Sequence, residues 1–250
     1  MTRSSSTIFV TLLVLGPVAS EALNETASGQ VWANFTLDYP RGERLLFEVD
    51  FEPKTQYSGS DTWRGLDVTP AIEFSPNRWI ELVGEAALAR TRQSNAVRSA
   101  EVTPRFGVRV HLLNNLRTML PPGHHRLGRV GIANLSRIEW RNFWYSDDTP
   151  SSHETRFRNR LELKVGLNHA EVSLDKTLYL LADYEIFVPL SDDVPERFAA
   201  KARVRAGLGY RRDRRWRFEV LYIRDGTRQT DEGSFATSAN IVDFRLKMFL

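Results

Sequence analysis

A two-residue alternation of apolar and charged side chains, recurring almost from end to end, constrains this chain more than any other feature. From Thr155 one parity reads Thr155, Phe157, Asn159, Leu161, Leu163, Val165 and Leu167, and the other Arg156, Arg158, Arg160, Glu162 and Lys164. From Arg197 one parity reads Phe198, Ala200, Ala202, Val204, Ala206, Leu208 and Tyr210, against Lys201, Arg203, Arg205 and Arg211. Near Glu101, the residues Val102, Phe106, Val108, Val110 and Leu112 alternate with Glu101, Thr103, Arg105, Arg109 and His111. A helix would spread these charges around its whole circumference; a strand sets them on one face and the apolar side chains on the other. The same pattern predicts strands over Val31–Asp38, Arg44–Thr55, Trp63–Ser75, Trp79–Thr91, Gly128–Tyr145, Thr177–Val188, Arg215–Arg228 and Ser238–Phe249. Several are far longer than the roughly five or six residues usual in soluble sheets.

Composition narrows the class. With 42% apolar and 11% aromatic residues the chain is too apolar for disorder. Past residue 22 no apolar run approaches the roughly 20 residues of a spanning helix. There is no Cys, which excludes thiol catalysis, disulfide scaffolds and Cys-ligated metal centres. The net charge is +3, and the bases are 29 Arg against 5 Lys. At the N-terminus, Arg3, the apolar stretch Thr7–Leu15, Pro17 and small residues up to Ala22 form a secretory leader over residues 1–22, cleaved after Ser20 or Ala22. Residues 23–250 then form one all-β domain. A secreted chain without Cys fits a bacterial envelope.

Long strands joined by alternately short and long connections are the pattern of an outer-membrane barrel. Short turns are expected at Pro40-Arg41-Gly42, Ser75-Pro76-Asn77, Asn114-Asn115 and Arg212-Asp213, with longer polar connections at the other end. In lipid the sheet must close, because every backbone polar group needs a partner. The expectation is a single antiparallel up-and-down transmembrane β-barrel, its apolar parity toward outer-membrane lipid and its charged parity toward the lumen. Tyr39, Tyr57, Trp144, Tyr210 and Trp216, on the apolar parity near strand ends, suit interfacial girdles, whereas Trp63 and Trp79 fall on the polar parity. Single-chain bacterial barrels have even strand numbers, so either Val31–Asp38 is no full strand, giving 10, or a further strand lies near Asn115–Arg129, giving 12. The C-terminal run Val242–Leu250 resembles the signal read by the barrel-insertion machinery.

The charged parity is where chemistry can lie. Arg105, Arg109, Glu139, Arg141, Arg156, Arg158, Arg160, Asp183, Glu185, Arg203, Arg205 and Glu219 are expected to form a ladder of Arg–carboxylate pairs inside the barrel. Across the wider charged set, which also includes Glu81, Glu85, Glu101, Arg137, Glu162, Lys164, Lys201, Arg217, Asp243, Arg245 and Lys247, bases outnumber acids 14 to 9. That favours a lumen for small anionic solutes, structural or channel-forming and not catalytic. A soluble periplasmic lipocalin-like ligand-binding barrel is the alternative, and an outer-membrane lipid-modifying enzyme the third reading. No catalytic, metal or cofactor motif is present, and of the histidines only His111 falls mid-strand on the polar parity. The cluster Arg211-Arg212-Asp213-Arg214-Arg215 reads as a charged turn and not as a nucleic-acid patch.

The chain resembles the bacterial envelope family known as domain of unknown function 2490 (DUF2490). The resemblance rests on an early strand with Trp32, on Glu139-Trp140-Arg141, on Arg156-Phe157-Arg158-Asn159-Arg160-Leu161, on Asp183-Tyr184-Glu185-Ile186-Phe187 and on Arg203–Tyr210, in that order from about residue 30 onward. It implies an outer-membrane-type barrel and no assigned activity.

Overall fold

Alternation becomes structure in eleven strands: β1 (Ser28–Arg41), β2 (Leu45–Ser58), β3 (Trp63–Phe74), β4 (Ile80–Gln93), β5 (Arg98–His111), β6 (Val130–Tyr145), β7 (Ser152–Gly166), β8 (Thr177–Pro189), β9 (Lys201–Arg211), β10 (Trp216–Thr227) and β11 (Ala236–Phe249). The computed structural model describes residues 27–59, 62–94, 97–113, 129–169, 171–191, 200–228 and 235–250. The leader expected over residues 1–22 lies outside the described residues.

The sheet closes on itself. Each strand pairs antiparallel with its chain neighbours, and β1 pairs parallel with β11 from Ser28↔Ala239 to Asp38↔Phe249. The even count expected from the sequence is therefore corrected. β1 is a full strand, hydrogen-bonded on both edges. β5 pairs directly with β6, so no slot remains between them for a strand near Asn115–Arg129, whose residues 114–128 lie outside the described ones. Ten antiparallel steps, an even number, leave the first and last of the eleven strands pointing the same way, so closure is parallel and Ser28 and Leu250 lie at opposite rims. The rims also differ from the expected short-turn and long-turn ends. On the Leu250 rim the connections 42–44, 75–79 and 212–215 are short, but 112–129 and 167–176 are long. In the second of these, Glu171, Val172 and Ser173 line the interior, and Val172 packs on the interior apolar cluster. Gly42 takes φ +69° in the β1–β2 turn, a conformation that favours glycine.

From Trp32 the register runs through Asp243, Leu221, Gly207, Leu181 and Lys164 to Gly131 of β6. In the other direction it runs through Lys54, Gly65, Thr91 and Ser99 to Tyr145 of the same strand. β6 is thus met fourteen residues apart, a stagger that closure can accommodate only if the strands tilt against the barrel axis.

Sidedness follows the sequence parity. In β8 the residues Thr177, Tyr179, Leu181, Asp183, Glu185 and Phe187 are buried inside, while Leu178, Leu180 and Tyr184 are exposed outside. Leu163, Val204 and Phe218 face outward at 37%, 44% and 42% exposure. Tyr39 and Tyr210 are exposed near the Leu250 rim, Tyr57 and Trp144 near the Ser28 rim. The outer band is not wholly apolar: Asn134, Ser136 and Asn159 sit there on β6 and β7, hydrogen-bonded to one another at 2.8–3.3 Å.

Candidate functional site

The interior of the barrel holds one elongated cavity of about 1140 Å³. Residues of the Ser28 rim (Gln30, Trp63, Lys201) and of the Leu250 rim (Arg217, Phe249) all line it. Trp32, Tyr179, Leu181, Leu221, Ile223, Ala239 and Ile241 fill part of the space beside β1, β8, β10 and β11. Cross-strand packing is tight there. A Cβ at Gly209 would stand 2.2 Å from the Tyr179 ring, whose hydroxyl donates to Glu219 at 2.6 Å.

Charges on the cavity wall are sorted by strand. β2 presents Glu48, Asp50, Glu52 and Lys54. β1 adds Asp38, β3 adds Asp67 and Glu73, and β4 adds Glu85. On the far side β5 presents Arg105 and Arg109, β6 Arg137 and Arg141, β7 Arg156, Arg158, Arg160 and Lys164, and β9 Lys201, Arg203 and Arg205. The acids lining the cavity from β5–β9 are Glu101 and Glu162. Of the other acids of those strands, Glu139, Asp183 and Glu185 lie under the arginines at 0%, 6% and 1% exposure, and Glu154 pairs with Arg141 at 2.7 Å.

Buried carboxylates are tolerated only when paired and hydrogen-bonded, and here each is forked by guanidinium groups. Glu139 has Arg158 at 2.8 Å, Arg156 at 2.5 Å, Arg137 at 3.1 Å and Arg105 at 3.2 Å. Arg137 and Arg105 also reach Glu85, at 3.0 and 3.1 Å. Arg158 continues to Glu185 at 2.6 Å, and Arg205 bridges Glu185 and Asp183 at 2.7 Å each. The result is a continuous ionic belt from β4 to β9. Above it, Arg156, Arg158, Lys201 and Arg203 surround the Phe187 ring at 4.6–5.7 Å from its centre, a cation–π arrangement.

The acidic wall is held differently. Lys247 reaches in from β11 to Glu48 (2.6 Å) and Asp38 (3.0 Å), and Lys54 lies 2.6 Å from both Glu52 and Asp67. Arg109 contacts Glu73 at 3.2 Å and also pairs with Glu81. Asp50 accepts a hydrogen bond from Thr36 and has no ion pair with any described residue.

Of the twelve ladder residues expected from the sequence, Arg105, Arg109, Arg141, Arg156, Arg158, Arg160, Arg203, Arg205 and Glu219 line the cavity, and Glu139, Asp183 and Glu185 lie beneath it. Glu219 stands somewhat apart, 3.9 Å from Arg245. Sequence reasoning passed over Asp38, Glu48, Asp50, Glu52, Asp67, Glu73 and Asp225 together with Lys54. Counting them brings acids and bases on the inner parity close to parity, so the excess of 14 to 9 disappears. The signal was present in the Glu48-Asp50-Glu52-Lys54 alternation of β2. His111 is the last residue of β5, not a mid-strand residue, with its Nε2 3.6 Å from Glu81. Among the described residues no group of three His, Asp or Glu could hold a metal ion.

No curated protein matches the chain. The family model described as "Protein of unknown function (DUF2490)" matches residues 29–235, and the chain belongs to that family.

Proposed function

We propose that the barrel spans the bacterial outer membrane and that its lumen is a narrow, non-catalytic passage for small charged solutes. One observation carries this reading: the outward face of a closed sheet is mainly apolar while its inward face is mainly charged and encloses a cavity running between the rims. Burying an apolar face is what stabilises a soluble barrel, so a lipocalin-like carrier would need the opposite sidedness. Strands of 11 to 16 residues exceed the about 9–11 that cross a bilayer core when tilted. The exposed tyrosines and tryptophans near both rims suit interfacial belts. The leader would deliver the chain across the inner membrane, and β11 would engage the barrel-insertion machinery.

Purification without the leader, followed by a heat-modifiable gel shift in detergent and conductance in planar bilayers, tests the proposal. A protein that stays in solution in plain buffer would overturn the membrane assignment. A folded barrel that inserts but carries no current would overturn the passage.

A further inference from the structure

We propose that this passage is a dipole filter whose substrate class is the small zwitterion, a molecule with one anionic and one cationic group on a short skeleton. The proposal rests on the passage reading above and adds the solute class to it.

With acids and bases near parity, selectivity cannot come from net charge and must come from placement. Cavity-lining charge on β1–β4 is acidic except for Lys54, and on β5–β9 it is basic except for Glu101 and Glu162. In a closed ring of eleven strands, β2 and β7 are five strands apart one way and six the other, so these walls face each other across the lumen.

The two poles of this arrangement are Asp50 and Arg160. Both line the cavity, and neither forms an ion pair with any described residue. The Arg160 Nε is buried without a hydrogen-bond partner. Register rows from Asp50 reach β7 near Glu154 in one direction and two residues beyond Gly166 in the other. With the stagger shared evenly among the strands, the level facing Asp50 falls between these limits, at Arg160.

Opposed walls inside a low-dielectric cylinder set up a field across the path and not along it. An anion is drawn to one wall and repelled by the other, and a neutral polar solute gains little from either. A zwitterion lying crosswise places its anionic group toward the Arg160 side and its cationic group toward the Asp50 side. The gain is that of one partly screened interaction, enough to favour entry and weak enough to let the solute leave, as conduction requires.

Glycine and its constitutional isomer glycolamide make the test, since they share one formula and differ in being zwitterionic and neutral; glycolate supplies the anion. Swelling of proteoliposomes, corrected for protein-free liposomes, should be faster in glycine than in glycolamide by about fivefold, the change produced by one partly screened charge interaction. Raising salt from 0.1 M to 1 M shortens the screening length from about 10 to about 3 Å and should bring the ratio toward one. The paired variant Asp50→Asn with Arg160→Gln keeps the net charge, and should lose the preference while still passing potassium chloride current. If that variant does not fold, as read by its heat-modifiable gel shift, the salt series on the unaltered protein decides. Equal rates for glycine and glycolamide at low salt, or glycolate faster than both, overturn the dipole filter while leaving the passage standing. The absence of both current and swelling overturns the passage itself.

Discussion

Replacing Glu139 by Gln removes one negative charge, with little change in volume, from the most crowded point of the ionic belt. The carboxylate is fully buried, and four guanidinium groups lie within 3.2 Å of it. In the variant, Arg137 and Arg105 keep Glu85 and Arg158 keeps Glu185, but Arg156 loses its ion-pair partner. Removing one partner of a buried pair costs about 3–5 kcal/mol, because an uncompensated charge stays behind. Here the mutual repulsion of the remaining cations adds to that loss, so Glu139→Gln should sit at or above the upper end of the range. Denaturant titration of the folded barrel in detergent reads this as a lower midpoint at unchanged slope. Adding Arg156→Gln removes the orphaned cation and should recover about 1–3 kcal/mol, the coupling expected of neighbours in one network. A loss below about 1 kcal/mol for Glu139→Gln alone would refute the belt as a structural element. It would mean that water or ions from the lumen neutralise these arginines as well as Glu139 does.

Three further outcomes are expected. Leu163→Ala, Val204→Ala and Phe218→Ala should cost on the order of 1–2 kcal/mol each, the loss of apolar transfer alone; losses of about 2–5 kcal/mol at all three sites in denaturant titrations would signal packed cavities, and so a non-lipid environment. Gly209→Ala drives a methyl into the Tyr179 ring and should cost about 1–3 kcal/mol by overpacking, with the near-ultraviolet circular dichroism of the tyrosine altered. Epitope tags placed before Ser28 and after Leu250 should be protected and exposed on opposite sides of the outer membrane in intact cells; tags accessible on the same side would contradict the parallel β1–β11 closure.

Much of the barrel was legible because the strand period is two and one parity is apolar. The segment expected over Thr177–Val188 is β8 (Thr177–Pro189), and Trp63–Ser75 is β3 (Trp63–Phe74). What was not legible depends on contacts between distant parts of the chain. Strand parity is a property of closure: no local feature of Val31–Asp38 says that its far edge accepts a parallel partner about 210 residues away. The packing of Val172 likewise depends on an apolar cluster assembled from β1, β8, β10 and β11. Individual charges on the inner parity could be read from β2 or β7 alone. Their sorting into two walls appears only when strand order places β2 opposite β7, and the Lys247–Glu48 pair joins residues 199 apart in sequence.

The two walls also explain why the chain uses 29 Arg and only 5 Lys. A buried carboxylate between two strands must be neutralised from both sides, and a planar guanidinium can bind one carboxylate through Nε and another through a terminal nitrogen. Arg158 does this between Glu139 and Glu185, and Arg205 between Asp183 and Glu185. Each bridge ties neighbouring strands around the circumference, reinforcing a sheet whose backbone hydrogen bonds already run that way. Because the acids sit beneath and the arginines outnumber them, the surplus positive charge is left at the cavity surface. Lysine, a point charge on a flexible stem, serves instead where a cation must reach across from another strand to the acidic wall, as Lys247 does toward Glu48 and Asp38. The pairing that stabilises the β5–β9 side thus leaves it basic. The β1–β4 wall, supplied by only a few long cations, stays acidic, so stability and polarity of the lumen arise from the same assignment of residue types.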